Sequence, residues 1–82
     1  MTRTEREHLN RFVAEMRRKL KANDRKTGWL GCSEAYLCGR LMEEVAELFL
    51  SIAHDRRHVL AEAADVANFA MMIGTTCGEE TL

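Results

Sequence analysis

The sequence has no proline and only five glycines in 82 residues, which works against a fold of strands and tight turns and favours long helices. It also lacks an apolar run long enough to cross a membrane, and its start carries no charged-then-apolar leader. A surplus of basic charge is missing too. Twelve Lys and Arg stand against thirteen Asp and Glu, for a formal net charge of −1, so the balance gives no support for non-specific nucleic-acid binding. A helix-turn-helix reading fails similarly, because no helix is basic enough to serve as a recognition helix. The three cysteines, Cys32, Cys38 and Cys77, form no CxxC pair and read as reduced thiols of a cytoplasmic protein rather than a disulfide framework. Cys32, Cys38, His54 and His58 follow a zinc-like order. The thiols are too far apart for a finger knuckle, however, and the histidines lie beyond a long helix, so zinc is set aside. What remains, 46% hydrophobic and 30% charged, describes one small globular domain, residues 1–82, with little core to spare.

Periodicity predicts three helices, over about residues 4–22, 33–54 and 58–73. In the first, Leu9, Phe12, Val13, Met16 and Leu20 make one apolar stripe. Thr4 with Glu7 has the capping-box spacing, and Arg17, Arg18, Lys19 and Lys21 suit the C-terminal end of the helix dipole. Residues 23–31 are a loop containing Lys26, Gly28 and Trp29, the only tryptophan. Trp29 either anchors this loop on the core or stacks on a nucleobase. Ser33 is placed to cap the second helix. There Leu37, Leu41, Met42, Val45, Leu48, Phe49 and Ile52 form a broad apolar face, and Arg40, Glu43, Glu44 and Glu47 occupy the other side. After the polar turn at 54–57 comes a third helix that is apolar nearly all round, interrupted by Glu62, Asp65 and Asn68. Gly74 is placed to end it.

Two acidic clusters set the chemistry. Glu43, Glu44 and Glu47 taken alone pass for a solvated face. Glu62 does not, since at 100° per residue it falls among Val66, Phe69 and Ile73. A salt bridge from Glu62 to Arg11 or Arg40 is the plain alternative to a cation. If the second and third helices fold back on each other, Glu44 and Glu47 face Glu62 and Asp65. Four oxygen donors without His or Cys suit a hard cation, Mg2+ first and Mn2+ second, and a phosphorylated substrate. Di-iron chemistry is demoted because neither cluster has a Glu-x-x-His.

These residues resemble a known family. EExxE at 43–47 followed by ExxD at 62–65, with Lys26-x-Gly28-Trp29 before and Asp65-Val66-Ala67-Asn68-Phe69-Ala70-Met71-Met72 after, is similar to the signature of MazG-like, all-α nucleoside triphosphate pyrophosphohydrolases. The resemblance implies magnesium-dependent hydrolysis of a (deoxy)nucleoside triphosphate to the monophosphate and pyrophosphate. It assigns Glu44, Glu47, Glu62 and Asp65 to the metal. Glu43 and Glu47 become the candidate catalytic residues, Glu43 as an outer-shell or water-orienting acid. Lys26, Trp29 and Asn68 become candidates for substrate binding, with Asn68 reaching ribose or base. Longer members carry a further basic helix after ExxD. Here the phosphate-binding cations are expected from Lys26, from Arg18 or a neighbour on the first helix, or from another subunit.

The fold expected is therefore all-α, a three-helix chain whose second and third helices form an antiparallel pair. A second subunit completes it as a four-helix-type bundle, in a homodimer or dimer of dimers, because a third helix so apolar needs cover on most sides. The competing functional class is a non-catalytic helical oligomerisation or regulatory module that kept the fold.

Overall fold

The computed structural model describes residues 1–23 and 28–78. Their regular structure is helical, with no strand: α1 is Arg3–Ala22, α2 is Glu34–His54 and α3 is Val59–Cys77, the last entered through a single 3-10 turn, Arg56–His58.

Each boundary has a local cause. A capping box does start α1, but at Thr2 and Glu5 rather than Thr4 and Glu7. The Thr2 hydroxyl accepts from Glu5 N at 3.0 Å, and Thr2 N donates to Glu5 Oε1 at 2.7 Å. The sequence holds two such boxes offset by two residues. Using the earlier one lengthens the helix and frees Glu7 to pair with Arg3 at 3.3 Å. Ser33 caps α2 as its spacing predicts, accepting from Tyr36 N at 3.1 Å. Asp55 pins the turn that follows, with one carboxylate oxygen on Arg57 Nε at 3.0 Å and the other 2.8 Å from His58 Nδ1. Gly74 does not end α3, which runs on to Cys77. Glycine in a helix costs roughly 1 kcal/mol. Here the next turn is reinforced by Thr75 and Thr76, whose hydroxyls donate to Met71 O and Met72 O at 3.0 and 2.6 Å.

Both α1 and α2 pack on α3, and α1 and α2 do not pack on each other. The central position of α3 explains why it is apolar nearly all round: much of its cover comes from within the chain. Two contacts set its register with α1, namely Asn68 Nδ2 donating to Met16 O at 3.0 Å and Lys19 Nζ on Asp65 Oδ2 at 3.1 Å. Position rises on one helix as it falls on the other, so α1 and α3 run antiparallel.

Among the described residues, the hydrophobic core reduces to Leu37, Ala64 and Met72, and it is joined by two buried polar side chains, Glu44 and Asn68. The apolar face of α2 is wider than α3 covers. Its flank, on the line of Leu37, is buried, while Met42 and Phe49 stand 74% and 65% exposed. The uncovered apolar surface therefore lies on α2, not on α3.

Candidate metal and nucleotide site

Glu44 follows Leu37 by two helical turns on the same line of α2, and that line faces α3. This places a carboxylate at 5% exposure. On the sequence it had passed for part of a solvated face. Arg40 partly compensates it, with Nη2 donating to Glu44 Oε1 at 2.7 Å and Nη1 to Glu43 Oε2 at 2.6 Å. The guanidinium carbon also sits 5.1 Å from the centre of the Phe69 ring, a cation–π placement that holds Arg40 in position. Among the described residues no N–H or O–H donor reaches Glu44 Oε2 or Glu62 Oε2, and what lies beside both is the Glu47 carboxyl group.

The hairpin brings three of the four expected ligands together. One carboxylate oxygen from each of Glu44, Glu47 and Glu62 lies within 4.8 Å of the others. Glu43 stays outside, largely exposed beside Arg40. Asp65 is close by but engaged with Lys19 at 3.1 Å. The salt-bridge alternative for Glu62 is not what is seen: Arg40 is committed to Glu43 and Glu44, and Glu62 makes no ion pair among the described residues.

The electrostatics follow from this crowding. Burial, then the neighbouring Glu47 carboxylate and the charge of Asp65, push Glu44 up from 4.5 to about 7 against the pull of Arg40. Burial also raises Glu62, helped by Glu47 and Asp65 and opposed by Lys19. Carboxylates this close cannot all ionise cheaply. Of the four expected ligands, only Glu44 and Asp65 have a basic partner among the described residues, Arg40 and Lys19, and Arg40 is divided with Glu43. The negative surplus, the all-oxygen donor set and the orphaned buried Oε2 of Glu44 fit a hard divalent cation.

A cavity of about 340 Å³ opens beside the cluster, with Lys19, Trp29, Arg40, Glu44, Asp65 and Asn68 on its walls. Gly28, at φ +59, takes the left-handed conformation that glycine tolerates best, and Cys32 N donates to Trp29 O at 3.0 Å to close the turn. Trp29 Nε1 is buried without a partner among the described residues. Asn68 is only 3% exposed, and its amide is oriented by the bond to Met16 O, leaving Oδ1 unpaired. The cavity is therefore lined by an indole and a carboxamide beside the basic side chains of Lys19 and Arg40.

A scan against protein-family models and searches of curated proteins and of solved structures matched nothing. The family resemblance accordingly stands on the motif residues themselves.

Of the residues singled out in the sequence, Glu44, Glu47 and Glu62 converge, Asp65 is adjacent, Asn68 and Trp29 share the cavity, and Lys26 lies outside the described residues. Sequence reasoning missed the pairing of Lys19 with Asp65 and the capture of Asn68 by the α1 backbone. The basic end of α1 was visible, but only the α1–α3 register shows which of its side chains turns inward.

Proposed function

We propose that this protein is a magnesium-dependent (deoxy)nucleoside triphosphate pyrophosphohydrolase. The observation that carries the reading is the buried Glu44, its Oε2 without a donor among the described residues, with one carboxylate oxygen from each of Glu44, Glu47 and Glu62 inside 4.8 Å. Glu44, Glu47 and Glu62 would hold the cation, with Asp65 as the fourth ligand. When bound, that cation neutralises phosphate oxygens and makes a nearby water more acidic. Attack of the water oxygen on the α-phosphorus breaks the α–β anhydride bond. The hydroxyl stays on the monophosphate, and pyrophosphate leaves with the bridging oxygen. Glu47 would take the role of accepting the water's proton, and Glu43, one helical turn before it on α2, that of an outer acid. Trp29 and Asn68 line the cavity, where the indole would stack on a base and the Asn68 amide would hydrogen-bond base or ribose.

The quaternary reading is a homodimer or dimer of dimers. Along α2, Cys38, Met42, Val45, Phe49 and Ile52 follow the alternating four- and three-residue spacing of a helix-pairing seam, and Met42, Phe49 and Ile52 are exposed. A second copy packed on this face would complete a four-helix-type bundle. The same face supports the competing reading, a helical interaction module without catalysis. No helix among the described residues is long and apolar enough to cross a membrane, and all three cysteines are free thiols, which fits the cytoplasmic placement.

Pyrophosphate release from a panel of ribo- and deoxynucleoside triphosphates, with and without Mg2+, separates the two. The enzyme reading expects release from at least one nucleotide, abolished by chelation and lowered at least about a hundredfold by Glu47→Gln or Glu62→Gln. Folded protein that releases none, while still associating through α2, establishes the interaction module instead.

A further inference from the structure

We infer that Lys19 is a displaceable counter-ion, holding Asp65 until a divalent cation takes that carboxylate and then moving its ammonium group to the phosphates of the bound nucleotide. This rests on the pyrophosphohydrolase reading and names the cation that reading leaves open.

Three of the four carboxylates already converge, and the fourth is the one a lysine occupies. The pair is neither open nor sealed, with Lys19 and Asp65 side chains 23% and 19% exposed, and both line the cavity beside Glu44 and Asn68. The two basic residues at the site differ in their freedom to move. Arg40 is forked across two carboxylates and backed by the Phe69 ring. Among the described residues Lys19 makes one ion pair, at the end of a flexible stem, and a point charge of that kind changes partners more readily than a forked guanidinium. The Asn68–Met16 bond, three residues before Lys19 on α1, keeps its backbone in place while the side chain swings.

The consequence is a pair of effects with opposite signs. A lysine competing for Asp65 weakens binding of a bare cation, yet the same lysine strengthens binding of a polyanion. An ion pair that served only to dock α1 on α3 would, on removal, loosen the site for both ligands together.

The test uses Mn2+ alone and, separately, inorganic tripolyphosphate in the presence of Mg2+, each titrated calorimetrically into wild type, Lys19→Gln and Lys19→Met. Loss of the ammonium should tighten Mn2+ binding about three- to fivefold, the scale of a partly exposed ion pair, and weaken tripolyphosphate binding about fivefold or more. Should both variants misfold, the side-chain ammonium 15N resonance of Lys19 in the wild type gives the same answer. It should change once on adding Mg2+ and again on adding tripolyphosphate. Unchanged affinities, shifts in the same direction, or a Lys19 resonance indifferent to both ligands would overturn the exchange while leaving the metal site standing. A wild type that binds no divalent cation would remove the pyrophosphohydrolase reading, and this inference with it.

Discussion

Glu44 carries the largest electrostatic burden of any single residue, and its behaviour with pH is the sharpest consequence. Its folded-state value is pushed up from 4.5 to about 7, so between those pH values the folded chain holds a proton that the unfolded chain has lost. Stability then falls as pH rises, because the folded state binds more protons. The metal-free protein should therefore melt at a lower temperature at pH 8 than at pH 5, and millimolar Mg2+ or Mn2+ should lessen the difference. Thermal denaturation followed by circular dichroism at the two pH values, with and without the cation, checks both statements. A melting temperature that rises from pH 5 to pH 8 without metal would contradict the account. Asn68 makes a second residue-scale prediction. Asn68→Ala deletes the only side-chain bond from α3 to the α1 backbone among the described residues and should cost about 1–3 kcal/mol in denaturant titrations. If the Asn68 amide hydrogen-bonds the nucleotide, KM rises as well. The acidic motif was legible in the sequence at this scale, but the ranking of its members was not. Glu62 stood out because it interrupts an apolar stripe, whereas Glu44 is the more buried of the two. Its position beside Leu37 on the wheel becomes decisive only when it is known which flank of α2 meets α3.

At the scale of elements, three helices and the α2–α3 hairpin could be read from periodicity and caps, because apolar spacing directly reflects the face a helix must bury. The ends were less legible for local reasons. Thr2 and Thr4 head competing capping boxes, and Gly74 resembles a helix terminus until the Thr75 and Thr76 hydroxyls extend the helix beyond it. Packing was the least legible level. A broad apolar arc on α2 and an all-round apolar α3 are equally compatible with either helix at the centre. Contacts between α1 and α3, set by Met16 with Asn68 and Lys19 with Asp65, place α3 in the middle and leave the centre of the α2 arc uncovered. Phe49→Lys tests what that arc is for. At 65% exposure the substitution should change the stability of a single chain by no more than about 0.5 kcal/mol, yet it should abolish self-association in sedimentation velocity. Association that survives it would move the interface off α2.

For the whole molecule, the central fact is that two of the five buried side chains among the described residues are polar or charged. Leu37, Ala64 and Met72 share the interior with Glu44 and Asn68. A chain of this size has little stability to spare, and a ligand that binds the folded state at such buried polar groups would add to it. A cation at the carboxylates and a nucleotide in the cavity would serve both stability and chemistry. The two also depend on each other, since the cavity wall and the cluster share Glu44. The most direct test is 31P NMR of a triphosphate mixture incubated with the protein and Mg2+ in 18O-labelled water. The account predicts pyrophosphate and a nucleoside monophosphate carrying the label, with no turnover after chelation. Release of orthophosphate with a nucleoside diphosphate, or label in the pyrophosphate, would contradict it.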